Sequence, residues 1–243
     1  MDPICFRVVR FDNRDVGLST HLREAPPGSY SYLDMADDVA GLVTGLGAEQ
    51  VHLIGASMGD FIARWSVLRH PSLVESVTVI MSGCGAQFGS TAAERYSKIA
   101  PHPFKGMMSK TRAASSRAEA IESYVDAWQK YNGSKFPFDE DWVRACGTST
   151  YKRSYDPKGV GRQIGASENP VLLEAQQKIA CITAVIHGDE DPIFGADRAR
   201  ETAARIPGTK LEIIPGMGHE MPREAWPQII QTIVGVARDE PTT

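Results

Sequence analysis

Short apolar runs alternate with helix-periodic stretches along most of the chain, and the apolar runs are of strand length. Phe6-Arg7-Val8-Val9-Arg10-Phe11 reads as a strand, ended by the turn-forming Asp12-Asn13-Arg14-Asp15-Val16-Gly17. After a loop around Pro26, Pro27 and Gly28, the apolar positions Leu33, Ala36, Val39, Leu42, Val43 and Leu46 recur at three- and four-residue steps. They predict a helix starting near Ser31, with Gly47 where a C-terminal cap belongs. Residues 51–54 form the next strand, 60–70 a helix stopped before Pro71, and 74–81 a third strand. The run 182–186 is continuously apolar, as strands buried on both faces are. A helix over about 196–206, a strand at 210–214 and a closing amphipathic helix over 226–237 follow, and 239–243 reads as frayed. The alternation predicts an α/β fold, a mostly parallel sheet flanked by helices.

Between residues 82 and 170 this rhythm breaks. No strand-like run occurs there, yet the segment carries Trp128, Trp142 and five of the seven tyrosines. Residues 118–130 are its clearest helix, and an interruption of this size exceeds a loop. The expected organisation is a core over 1–85 and 170–243 with a helical cap (lid) inserted at 86–169. Apolar side chains such as Trp128 or Met108 are expected to face the site beneath it.

Composition narrows the function. At 243 residues, 42% hydrophobic and 23% charged, the chain has the make-up of one globular domain with an insertion. Its 26 basic and 30 acidic residues are well mixed and leave a net charge of −4, which argues against a nucleic-acid partner. No apolar run approaches the ~20 residues of a membrane helix, and no basic-then-apolar leader opens the chain. The expectation is a cytoplasmic protein acting on a small molecule, without membrane or nucleic acid, and nothing points to a homo-oligomer. Cys5, Cys84, Cys146 and Cys181 are far apart, lack metal-ligand spacing and read as reduced thiols. Neither a metal nor an organic cofactor is implied.

Gly55-Ala56-Ser57-Met58-Gly59 fits G-x-S-x-G, a pattern that chance supplies about 0.1 times in a chain this long. Its placement is more specific than its letters. A serine between strand 51–54 and the following helix sits on a strained turn that exposes its hydroxyl, and the helix start offers N–H donors to an oxyanion. Such a hydroxyl needs a base. Among six histidines, His219 stands out in the glycine-flanked loop Gly216-Met217-Gly218-His219 directly after the last strand. His187, just after a buried strand, is the other position to weigh. Loops after parallel strands gather at one sheet edge, where Ser57 also emerges. The base needs a carboxylate, and Gly188-Asp189-Glu190-Asp191-Pro192 offers three acids after strand 182–186. Asp191 precedes His219 by one helix and one strand, which fits the chain order Ser, Asp, His; Asp189 and Glu190 read as solvated turn residues.

With these motifs and the run Arg7-Val8-Val9-Arg10-Phe11-Asp12-Asn13-Arg14-Asp15-Val16-Gly17-Leu18-Ser19, the chain resembles the α/β-hydrolase superfamily. Within it the likeness is to the esterase, C–C hydrolase and haloperoxidase-type branch, and there to the aclacinomycin methylesterase group. The resemblance implies Ser57 as nucleophile, Asp191 and His219 as its partners, the Met58 N–H as one oxyanion donor, and Asp12 and Arg14 as shapers of a turn. It implies a hydrolase of carboxylic esters, among them methyl esters of aromatic or polyketide-like compounds. C–C hydrolysis or perhydrolysis on the same triad is the alternative, and an impaired, non-catalytic homologue is the third reading. Two departures stand out. Relatives usually carry glycine where this chain has Asp60. They also begin with more chain, including a strand ending in a His-Gly loop that gives the second oxyanion donor, which Met1 to Cys5 do not supply. The expectation is therefore that strand 6–11 either closes against 51–54 or leaves a gap, and that catalysis is impaired.

Overall fold

Along the chain run α1 (Tyr32–Gly45), β1 (Val51–Ala56), α2 (Met58–Arg69), β2 (Val74–Ile80), α3 (Arg117–Tyr131), α4 (Glu140–Arg153), α5 (Pro157–Gly165), β3 (Ile182–Gly188), α6 (Ala196–Arg205), β4 (Lys210–Ile214) and α7 (Trp226–Ala237). The structure, a computed structural model, describes residues 6–26, 28–83, 114–166 and 172–239. Among these residues the four strands pair in chain order, all parallel. Leu53 lies opposite Val77, and Val79 opposite Val185. Each strand begins where the sequence placed it and ends within two residues of the expected position.

Parallel neighbours need a crossover, which α2 supplies between β1 and β2 and α6 between β3 and β4. β2 and β3 are buried almost throughout because helices cover both faces of the sheet there. Ala63 and Val67 of α2 and Ala199 of α6 pack against Val77, Val79 and Val185. On the opposite face Ile229 of α7 packs with Ile80, Ile186 and Ile214. The first helix starts as its sequence dictates, since the Asp34 carboxylate accepts the Ser31 N–H at 2.8 Å and closes a capping box.

Phe6–Phe11 corrects the sequence reading. The segment forms no strand, and it closes no ladder against β1. A strand is held by its neighbour's hydrogen bonds, and alternation alone cannot replace them. The segment meets β1 through the Phe6 ring, edge-on to His52 at 5.9 Å, while Val8 is 78% exposed. Ile54, on the strand itself, is 53% exposed. The turn that follows is well tied. Asp12 accepts the Leu18 N–H at 2.9 Å, which holds its carboxyl below the ordinary carboxylate range, and Arg14 pairs doubly with Asp38 of α1 at 2.7 Å.

The described part of the interruption is helical. Arg144 of α4 bridges to Glu122 of α3, and Arg162 and Gln163 of α5 reach Asp15 and the Arg14 carbonyl, both at 2.7 Å. Met108, His102, Cys5 and Cys84 lie outside the described residues, as do 240–243 of the expected frayed end. Cys146 and Cys181 are free thiols. No helix among the described residues is long and apolar enough to cross a membrane.

One contact between the α5 region and the turn is protonation-dependent. His21 Nδ1 lies 2.9 Å from Asp156 Oδ2 and Nε2 lies 3.1 Å from the Gly17 carbonyl. Both partners only accept, so both ring nitrogens must carry protons. The Gly17 carbonyl and Asp156 raise the His21 pKa, against Arg23; Arg162 stands 3.7 Å from Asp156. A raised folded-state pKa contributes stability below the unfolded value of about 6.5 and loses it as pH climbs through the folded value. Urea unfolding from about pH 6 to 9 is therefore expected to show wild type more stable than His21→Gln at the acidic end, with the gap shrinking as pH rises.

Candidate active site

β1 ends at Ala56 and α2 begins at Met58, so Ser57 alone turns strand into helix, with φ 52° and ψ −117°. A non-glycine residue in such a conformation costs of order 1–3 kcal/mol, and surrounding contacts must hold it. They do so here. The Ser57 N–H donates to the Ile80 carbonyl at 2.9 Å, and the Ser57 carbonyl accepts from the Asp60 N–H and the Ser82 hydroxyl, each at 3.1 Å. Gly55 is required by the same turn, because a Cβ there would stand 2.2 Å from the Gly59 carbonyl oxygen. At Gly59, by contrast, nothing among the described residues lies within 4 Å of such a Cβ.

The loops after β3 and β4 bring the other two side chains to Ser57. His219 Nε2 is 3.1 Å from Ser57 Oγ, and Nδ1 is 2.7 Å from Asp191 Oδ2. Asp191 is buried, and its Oδ1 accepts the Ile193 and Phe194 N–H groups at 2.7 and 2.9 Å. This fixes the carboxylate before the imidazole meets it. Met58 is the first residue of α2, so its N–H belongs to the turn whose donors have no intrahelical acceptor.

Asp189 and Glu190 are exposed, as the sequence suggested, yet each has a partner. The Gly216 N–H donates to Asp189 at 2.6 Å, tying the acid loop to the histidine loop. The Ser134 N–H and hydroxyl both donate to Glu190 at 2.6 Å, tying that loop to the insertion. Nothing in the local sequence distinguished these bonds from solvated turns. His187 is fully buried, with Nε2 2.7 Å from the Phe194 carbonyl and 3.5 Å from Asp191 Oδ2. Since a carbonyl only accepts, Nε2 carries the proton, and the ring braces the acid loop from behind. Glu220 is buried beside the histidine, and burial, with Asp139 and Glu224 nearby, pushes its carboxyl above the ordinary range.

Aromatic rings surround the imidazole. Tyr131, the last residue of α3, and Phe194 lie 6.0 and 5.9 Å from the His219 ring, and Phe61 extends this wall from Phe194 to Tyr32. Trp128 packs between Tyr124 and Tyr131, so its ring joins the insertion's own cluster. Asp60 does not place a bare charge at the site. It is buried and paired with Arg64.

A parallel sheet with a strand–serine–helix turn, completed by an acid loop and a histidine loop in that chain order, defines a known class. The chain matches the family model of the alpha/beta hydrolase fold over residues 4–224 and belongs to that family. Among proteins of known name it is similar to rhodomycin D methylesterase DauP of Streptomyces sp. (strain C5), at 26% identity over 231 residues, covering 88% of this chain and 76% of that one. Rhodomycin D methylesterase DnrP of Streptomyces peucetius is 27% identical over the same shares. Its fold superposes on a thermophilic esterase from Thermogutta terrifontis with a TM-score of 0.70 at 22% identity, covering 94% of this chain and 78% of that one.

The histidine loop depends on one close approach. A Cβ at Gly218 would stand 2.0 Å from the Tyr131 carbonyl oxygen, the acceptor of the His219 N–H at 2.8 Å. Gly218→Ala is expected to lower stability by about 1–3 kcal/mol, as overpacking does, in denaturant titration.

Proposed function

We propose that this chain hydrolyses carboxylic esters with Ser57 as nucleophile, His219 as base and Asp191 as the acid that orients the base. The observation that carries the reading is the continuous Oγ···Nε2, Nδ1···Oδ2 relay at 3.1 and 2.7 Å, with its carboxylate buried. Ser57 Oγ attacks the ester carbonyl while His219 Nε2 takes its proton. Asp191 accepts the Nδ1–H, fixes the tautomer and stabilises the imidazolium. The Met58 N–H and the positive end of α2 stabilise the oxyanion. His219 then protonates the departing alcohol, and water, activated by the same imidazole, releases the acid and restores Ser57.

The substrate we assign is an ester with an apolar, aromatic-bearing group, including methyl esters of aromatic or polyketide-like compounds. Two observations support this choice: the wall of Tyr32, Phe61 and Phe194 beside the imidazole, and the likeness to the rhodomycin D methylesterases. Residues 86–169 serve in this reading as the lid. Its described part contacts the histidine loop through the Tyr131 ring and carbonyl and the acid loop through Ser134.

A fluorophosphonate probe is expected to label wild type and not Ser57→Ala, read by peptide mass spectrometry. Ser57→Ala and His219→Ala are each expected to lower kcat for an aryl ester by at least about 10⁴-fold, and the double variant by little more, because the groups act as a unit. Turnover of vinylogous diketones without turnover of any simple ester would instead assign C–C hydrolysis. Folded wild type that neither labels nor turns over would overturn the enzymatic reading.

A further inference from the structure

The fully buried charges of the nucleophile's helix take no part in the proposed chemistry. Asp60 is 1% and Arg64 0% exposed, one helical turn apart. Their pairing is bidentate, Nε to Oδ1 and Nη2 to Oδ2, both at 2.6 Å. Arg64 directs two of its other three donors to two other segments. Nη2 donates to the Gly83 carbonyl at 2.7 Å, and Nη1 donates to Gln176 Oε1 at 2.6 Å.

Both acceptors sit where the chain crosses between the core and the insertion. Gly83 lies three residues past the end of β2, where the chain leaves the sheet, and the fully buried Gln176 lies ahead of β3, where it returns. Ser82, next to Gly83, donates its hydroxyl to the Ser57 carbonyl at 3.1 Å. The guanidinium also lies 5.3 Å from the centre of the Phe61 ring, and Phe61 leads through Phe194 to His219.

A buried ion pair is a poor source of stability. Removing two charges from water costs several kcal/mol per ion, and apolar side chains of similar volume often do as well or better. What an apolar pair cannot do is fix direction. A guanidinium presents its donors in a rigid plane, and here that plane joins three segments that no apolar contact would hold in register.

We propose that Asp60 and Arg64 are positioning residues for ester hydrolysis: they clamp both hinges of the insertion, Gly83 and Gln176, to the helix that carries Ser57, and so hold the elbow in its reactive alignment. The inference rests on Ser57 being the nucleophile. The pair acts through Gly83, whose neighbour Ser82 donates to the Ser57 carbonyl, and through the Phe61 ring, and it touches no reacting atom. Its loss therefore lowers kcat more than it alters KM, because misplacement of a reacting group by as little as 1 Å costs about 100-fold.

The test compares wild type with Asp60→Leu/Arg64→Met, which removes both charges together, and with Arg64→Lys, which keeps the charge and loses the fork. Each is measured for thermal unfolding, for kcat and KM on an aryl ester, and for the rate of fluorophosphonate labelling at Ser57. The expected result for the double variant is a folded protein, a kcat lower by about 10- to 100-fold, KM within about threefold, and labelling slowed in parallel. Arg64→Lys is expected to stay folded with the same split in smaller measure, and it decides the matter should the double variant not fold. Wild-type kcat and labelling rate in a folded variant would overturn the clamp while leaving Ser57 as nucleophile. Wild type that is folded but unlabelled at Ser57 would overturn both.

Discussion

A parallel strand that hands over to a helix across one residue imposes a positive φ on that residue, and much of this molecule serves to hold Ser57 there. The hold comes from β2, distant in sequence, and from the adjoining helix. β2 accepts its N–H, the segment after β2 donates a hydroxyl to its carbonyl, and α2 supplies a backbone donor. Such a turn is stable only where the sheet beside it is stable, because the Ile80 carbonyl is placed by the β2–β3 ladder. The continuous burial of β2 and β3 between α2, α6 and α7 thus sets the geometry of the serine as well as the stability of the core.

The loops after β3 and β4 extend the same logic. Each departs from the carboxyl edge of the sheet, after a strand whose last residues are buried, and each is bound to its neighbour. Asp189 holds Gly216, Glu190 holds Ser134, and His187 supports the Phe194 carbonyl whose own N–H holds Asp191. Side chains on loops become precise only when the loops are restrained in this way. The polar groups around Asp191 and His219 are mostly second partners of that kind, few of them free to face a substrate.

The sequence made the sheet legible because buried parallel strands write themselves as apolar runs, as at 182–186. The elbow was legible because its glycine and serine stand at a strand–helix junction, and the acid and histidine loops followed from chain order. Phe6–Phe11 misled for a physical reason. Its composition suits a strand, but β-structure is a property of pairs, and no paired neighbour is written in a single run. The Asp60–Arg64–Gln176 network was illegible for the opposite reason. An acid in a first helical turn looks like an adjustment to the helix dipole, and the partner at Gln176 lies 112 residues from Arg64. Asp189 and Glu190 illustrate the same limit, since an exposed turn acid looks alike whether or not it holds a distant backbone N–H.

The bond between the His219 N–H and the Tyr131 carbonyl is made by backbone on both sides. Any residue at position 131 offers the same carbonyl, so this hydrogen bond, unlike the ring contact of Tyr131 with His219, does not depend on the side chain there. The constraint falls on the other strand of the contact, where Gly218 leaves room for the approach. A substitution at position 131 leaves the acceptor in the backbone, whereas any side chain at position 218 meets it head-on.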